Sequence, residues 1–175
     1  MTSRTSIGPD ELDELDMRFL RLLQEDSRTP LGVLAKRLGT SKSTVHYRIR
    51  RLESARVIEG YYARVSPSKL KKEYAAVVLT RAKPGLGLIE RIKTGRQIAL
   101  ISGVWGVYAV FGEYDYIFLV RADNREHLAQ KVNAVTRLKN IERTNSQIVE
   151  ILIKEDPRVD LGEKRRKSSK TGATR

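Results

Sequence analysis

The chain has 175 residues, 34 of them Lys or Arg against 21 Asp or Glu, a formal net charge of +13 and no cysteine. Absence of cysteine excludes disulfides and thiolate metal sites, and His46 and His127 lie too far apart in sequence to suggest a metal pair, so neither metal nor cofactor is expected. The length suits two small domains, the first residues are polar and acidic, and no apolar run approaches the roughly 18 residues of a membrane span, so a cytoplasmic protein with no membrane contact is expected.

Residues 1–10 read as a disordered N-terminus. Over 12–25, Leu12, Leu15, Phe19, Leu22 and Leu23 recur at helical spacing, with Asp13 and Asp16 three apart as a capping signature. A second helix comes next, with Thr29 as N-cap, Pro30 at its first position, Leu31, Leu34, Ala35 and Leu38 as the apolar stripe, and Gly39 as the stop. Ser41 caps a third helix whose stripe is Val45, Ile49 and Leu52. Two helices meeting across a short Gly-containing turn, with a longer helix behind, make a helix-turn-helix domain over residues 11–60.

From Arg56 to Tyr74 the composition turns β-branched, then Ser-, Pro- and Lys-rich, and residues 61–73 read as an extended linker. A second domain over 74–156 alternates a strand at 75–81, a helix around 86–93, strands at 103–112 and 114–122, a helix over 125–138 and a strand at 141–155. This β-α-β-β-α-β order predicts an α+β, ferredoxin-like fold, an antiparallel sheet covered on one face by two helices. Residues 157–175 are too polar to bury anything and read as a disordered basic tail.

The charge is unevenly placed: −4 over residues 1–27, +10 over 28–72, +1 over 73–163 and +6 over 164–175. A basic block beside a neutral body is the footprint of a polyanion-binding module. With Val45, Ile49 and Leu52 inward, Ser43, Tyr47 and Arg50 point away from the core, flanked by His46 and Arg51. In a DNA-binding helix-turn-helix such a face enters the major groove. Ser43, His46 and Tyr47 are then the base readers, and Arg50 reaches a base or a phosphate. Lys42, Arg48 and Arg51, with Lys36 and Arg37, are placed for phosphates, while Thr44, nearer the turn, packs or touches a phosphate. The bland alternative is a small basic bundle; the absence of acids on the face favours double-stranded DNA.

No P-loop, dinucleotide fingerprint, nucleophile elbow or paired catalytic carboxylates are present, so no catalytic residue is assigned. The residues quoted so far, together with "VIEGY" at 57–61, "GEYD" at 112–115 and "IERTNSQIVEI" at 141–151, resemble the Lrp/AsnC, or feast/famine, family of transcriptional regulators. The resemblance spans residues 11–155 and implies an amino-acid-sensing second domain that also drives dimerisation and higher assembly, to tetramer or octamer. The family pattern does not include the basic residues 164–175.

On the same grounds Gly112, Glu113, Tyr114 and Asp115, with the polar run Thr144, Asn145 and Ser146, are expected to line an effector pocket for an amino acid near an interface between subunits. Glycine lets backbone N–H groups approach a carboxylate, and Glu113 or Asp115 offers an acid for an ammonium. Gly and Asp are also ordinary turn residues, and on sequence grounds that reading stands beside the functional one. A homodimer is expected independently, because residues 103–112, with Trp105, Val107 and Val110, are more apolar than a half-solvated sheet needs. Two rival functions are a DNA-coating architectural protein, which the basic tail would serve, and a sirohaem-decarboxylase-like enzyme. The latter resembles this family but has no use for a cationic recognition helix, and His127 reads as a solvated helix residue.

Overall fold

The computed structural model describes residues 12–162 and divides them into two compact units, residues 12–63 with 156–162, and residues 64–155. The first unit is a three-helix domain: α1 (Glu14–Glu25), α2 (Leu31–Leu38) and α3 (Lys42–Ser54). The predicted capping box forms, since the Asp13 carboxylate accepts from Asp16 N–H at 2.7 Å and that of Asp16 accepts from Asp13 N–H at 3.2 Å. Phe19, Leu34, Ala35, Leu38, Val45 and Leu52 form the core, with Ile49 packed against it.

One boundary differs. Pro30, not Thr29, is the N-cap of α2, and the Thr29 hydroxyl instead donates to the Asp26 carbonyl at 2.9 Å. The ring holds Pro30 at φ −59° with an extended ψ of 143°, while its carbonyl accepts the first helical bonds from Val33 and Leu34. Gly39, at φ +67°, ends the helix as expected, and Ser41 caps α3 by accepting from Thr44 N–H at 3.1 Å.

The second unit runs β1 (Tyr74–Ala82), α4 (Leu88–Ala99), β2 (Val104–Ala109), β3 (Tyr116–Ala122), α5 (Arg125–Thr136) and β4 (Ile141–Ile148). Its sheet has the order β2-β3-β1-β4 with every neighbouring pair antiparallel, as the split βαβ reading requires. Val78 sits between Phe118 and Ser146 in register, and Ala76, Val78, Thr80, Phe118 and Val120 face a core that Ile98 of α4 and Leu128 and Val135 of α5 complete. Val77, Leu79, Ile117 and Leu119 alternate with them and point to the other face, which neither helix covers. Gly103 is required where it stands: at φ +88° its carbonyl accepts from Arg121 N–H at 2.8 Å, and a Cβ would lie 2.3 Å from the Arg121 carbonyl oxygen.

Three lengths depart from expectation. α4 continues to Ala99 through Thr94 and Gly95, where the buried Thr94 hydroxyl bonds back to the Glu90 carbonyl at 2.8 Å and Ile98 packs into the core. β2 stops at Ala109. β4 stops at Ile148, one bond from Val149 N–H to the Ala75 carbonyl ending the ladder. Residues 157–162 also correct the disordered-tail expectation: they return to α1, where Val159 pairs with Gln24 through hydrogen bonds of 2.8 and 3.0 Å. Residues 1–11 and 163–175 lie outside the described residues.

The C-terminus of α3 closes as a Schellman turn, Val57 N–H to the Leu52 carbonyl and Arg56 N–H to the Glu53 carbonyl, with exposed Arg56 rather than glycine at φ +56°. A side chain there costs about 1–2 kcal/mol, partly offset by the extra entropy that glycine gives the unfolded chain. Arg56→Gly should therefore stabilise the protein by about 0.5–1 kcal/mol in chemical denaturation; a destabilised variant would show that the Arg56 side chain contributes more than its strain costs.

Candidate DNA-binding helix and effector cleft

On α3, Ser43, His46, Tyr47 and Arg50 are exposed, Tyr47 by 67%, and Lys42 is exposed at the helix start. Thr44 is half-buried, and its hydroxyl and that of Ser43 each lie 2.8 Å from the Ser41 hydroxyl, so both belong to the cap network. The reader face is thus open to solvent. Two of the residues assigned to phosphates are placed otherwise. Arg48 Nη1 donates to the Asp13 carboxylate at 2.7 Å and to Asp16 Oδ1 at 2.6 Å, and Arg51 forms an ion pair with Asp16 Oδ2. Asp16 is fully buried. These arginines bolt α3 to the N-terminus of α1 rather than standing free at the groove walls. The signal was present in sequence as an acid pair three apart on α1 and an arginine pair three apart on α3, since such residues share a helix face.

A buried carboxylate is stable only with compensating charge and hydrogen bonds, and removing its partners or itself leaves uncompensated charge costing about 3–5 kcal/mol. Asp16→Ala should lower stability by about that amount, read from urea denaturation, and a loss below about 1 kcal/mol would refute the bolt. Asp13 gives a pH signature. Burial by itself raises its pKa, but the Asp16 N–H and the Arg48 guanidinium outweigh this and hold the carboxyl below its ordinary 3.8. A carboxyl with a lowered folded-state pKa stabilises above its unfolded value and loses that contribution as pH falls through the folded one. The stability gap between the native chain and Asp13→Asn should be constant near neutrality and close below about pH 3.8.

In the second unit, Gly112, Glu113 and Asp115 line a polar cleft of about 240 Å³ together with Arg81, Lys83, Arg91 and the loop at 84–86. Asp115 is already engaged. β1 shifts register against β4 between Arg81 and Ala82, and Asp115 Oδ2 accepts the Ala82 N–H at 2.9 Å, while Oδ1 lies 3.6 Å from Arg91 Nη2. Arg91 also donates to the Val110 carbonyl at 3.0 Å and lies over the Phe111 ring. Glu113, more exposed, pairs with Arg143 of β4 at 3.2 Å, and Arg143 lies over the Tyr114 ring.

Within the chain, β4 meets this turn through Arg143 and not through the expected polar run. The Thr144 hydroxyl faces that of Thr136 at 3.2 Å, Asn145 accepts from Gln147 at 2.8 Å, and Ser146 lies beside Val78. None of the three lines the cleft, nor does Tyr114. The cations Arg81, Lys83 and Arg91 were not anticipated, because each sits in a segment that reads locally as strand end, loop or amphipathic helix and is brought together only by the sheet. His127 Nδ1 lies 3.3 Å from Asp123 in an exposed pair, consistent with a solvated residue.

Residues 12–53 match the AsnC-type helix-turn-helix domain, and residues 91–159 match the Lrp/AsnC ligand-binding domain. The chain belongs to the Lrp/AsnC family of transcriptional regulators. It is 34% identical to an HTH-type transcriptional regulator of Pyrococcus horikoshii, over 85% of this chain and 99% of that protein. The solved leucine response regulatory protein LrpA of Mycobacterium tuberculosis shares 32% identity over 85% of this chain and 99% of its own, with a TM-score of 0.74. A feast or famine regulatory protein of M. tuberculosis complexed with L-methionine matches at 32% identity and TM-score 0.76, covering 85% of this chain and 98% of its own. These families and relatives are transcriptional regulators, not enzymes, which sets the decarboxylase-like alternative aside.

Proposed function

We propose that this Lrp/AsnC regulator binds specific sites on duplex DNA as a homodimer, and that an amino acid or similar small effector in the Gly112–Asp115 cleft sets how dimers assemble and so how paired α3 helices meet DNA. The observation that carries the DNA reading is the division of α3. Arg48 and Arg51 are held by α1, leaving Ser43, His46, Tyr47 and Arg50 exposed on one face. Ser43, His46 and Tyr47 read base edges; Arg50 and Lys42 hold base or phosphate. The location that goes with this work is the cytoplasm, and among the described residues no helix is long and apolar enough to cross a membrane.

Dimerisation is supported by the sheet face that neither helix covers. Val77, Leu79, Ile117 and Leu119 lie there, and Trp105 and Tyr108 remain about half exposed. Such a patch is what two copies bury against each other, and two half-sites about one helical turn apart double what one helix reads. Leu119→Lys in the full chain should shift it toward monomer in sedimentation at micromolar concentration; an unchanged mass would overturn this interface.

The effector reading is supported by mixed charge in the cleft and by the methionine complex of the M. tuberculosis relative. Arg91 and Lys83 suit a carboxylate and Glu113 an ammonium. Thermal-shift screening of the amino acids should find a stabiliser whose shift Glu113→Ala abolishes. Asp115→Ala is the poorer probe, because it strips the Ala82 N–H of its acceptor and should itself destabilise the fold by about 1–3 kcal/mol. For DNA, Tyr47→Ala should cost roughly 1–3 kcal/mol of discrimination between selected and random duplexes. Equal weakening on both would refute its reader role, and a native chain with no preference at all would favour the DNA-coating alternative.

A further inference from the structure

Two residues of the helix-turn-helix unit stand against the preferences of the helices that hold them, and the two touch each other. Gly32 is the second residue of α2, where alanine would serve the helix better, and it is not among the glycines whose positive φ requires the type. Lys42 is the first residue of α3, where the helix macrodipole favours an acid and opposes a cation. α1, α4 and α5 each carry an acid in the first turn; α2 and α3 carry none.

The contact accounts for the glycine. A Cβ at position 32 would lie 2.9 Å from Lys42 Cε and 3.5 Å from Lys42 Nζ, and apart from its own helix it would meet nothing else within 4 Å. The missing side chain is therefore the seat of the Lys42 stem. Both ends of that seat are held: Ser41 caps the start of α3 by accepting from Thr44 N–H at 3.1 Å, and Leu34 and Leu38 of α2 share a core with Val45 of α3. The ammonium at the end of the stem stands without a counter-charge. Among the described residues no carboxylate pairs with it, and Asp13 and Asp16 are held by Arg48 and Arg51. Local preferences that are broken without a gain to the fold concentrate at functional sites, and an anion at this ammonium offsets both conflicts together.

We propose that Gly32 is a positioning residue for DNA binding: the space left by its missing side chain seats Lys42 and so places the Lys42 ammonium on a phosphate of the duplex backbone. The proposal rests on the DNA reading of α3 and deepens it, assigning Lys42 to phosphate and leaving the bases to Ser43, His46 and Tyr47. The chemistry recognised is the phosphodiester, since a lysine that neutralises it releases condensed counterions. A seated stem also loses less rotamer freedom on binding than a free one.

Gly32→Ala is the lever, because only the far end of a flexible side chain has to move to admit the methyl group. The helices stay where they are and the ammonium does not. The test uses the full-length chain as Gly32→Ala, as Lys42→Gln and with both changes. Binding to a selected duplex and to a random duplex of equal length is followed by fluorescence anisotropy over a series of KCl concentrations, and the melting temperature by circular dichroism. Lys42→Gln should weaken both duplexes alike and make the slope of log affinity against log salt shallower by about 0.9 per chain. Gly32→Ala should raise the melting temperature, as alanine in a helix does, yet weaken both duplexes severalfold and move the slope the same way. A gain in stability joined to a loss of affinity is what a merely structural glycine does not produce. The double variant should bind no more weakly than Lys42→Gln alone.

Unchanged affinity and slope in Gly32→Ala overturn the positioning role, and unchanged values in Lys42→Gln overturn the phosphate contact. Equal weakening by Gly32→Ala in the native and Lys42→Gln chains overturns it too, by showing that the methyl group acts without the lysine. A lowered melting temperature in Gly32→Ala overturns it by showing that the helices give way and not Lys42. Failure of the α3 reading remains distinct: it would show as no preference for the selected duplex in the native chain, whatever these variants do.

Discussion

The helix-turn-helix unit turns on one buried carboxylate. Asp16 has no exposure, and three groups answer its charge: the Asp13 N–H, the Arg48 guanidinium and the Arg51 guanidinium. An isolated carboxylate in that position would be expelled or neutralised, so the pairing dictates which faces of α1 and α3 can meet. The same contact orients the outer face. Arg48 and Arg51 share one side of α3, and fixing both toward α1 leaves Ser43, His46, Tyr47 and Arg50 no position but outward. Apolar contacts of Phe19, Leu34, Val45 and Leu52 form the core but are non-directional, whereas the buried ion pairs require a particular geometry.

A comparable constraint organises the second unit. The register shift at Arg81 and Ala82 takes an N–H off the ladder with β4, and Asp115, two strands away in order, supplies the acceptor. This ties the turn between β2 and β3 to the end of β1 and holds Arg91 close by through the second carboxylate oxygen. The cleft beside Gly112 is therefore walled by groups that already serve the fold. A ligand that competed for Arg91 or Glu113 would have to loosen or replace those ties.

The fold was largely legible because its signals are local: the apolar stripes of α1 and α3, the Asp13–Asp16 capping box, the αL stop at Gly39 and the strand alternation of β1 and β3 need no knowledge of neighbours. What sequence misplaced depends on neighbours. The helix expected around 86–93 runs on to Ala99 because Thr94 and Ile98 are buried against the sheet, and residues 149–155 alternate like a strand yet have no ladder to join. Lys and Arg count as surface residues by default, so a sequence reading sends Arg48 and Arg51 to phosphates although Arg48 sits only about 60° round the helix from Val45. Thr144, Asn145 and Ser146 lie outside the cleft of the single chain for a related reason. Sequence proximity to a motif on β4 says nothing of which strand lies between, and β1 does.

The two arginines also change how the basic block at residues 28–72 must be read. Its excess of +10 suggests a strong, diffuse attraction to DNA, but two of those cations are neutralised inside the unit by Asp13 and Asp16, acids belonging to the negative segment before it. Charge counted along the chain therefore overstates what the recognition face offers a phosphate backbone. The face itself is more polar than cationic, with Arg50 beside a serine, a histidine and a tyrosine, a composition better suited to discriminating base edges than to holding the duplex. Holding power has to come from elsewhere on the same unit, from Lys42 and the N-terminus of α3 and from Lys36 and Arg37 of α2. Separating the reading of sequence from the gripping of phosphates allows specificity and salt sensitivity to vary independently, which a helix carrying both on the same few side chains could not achieve.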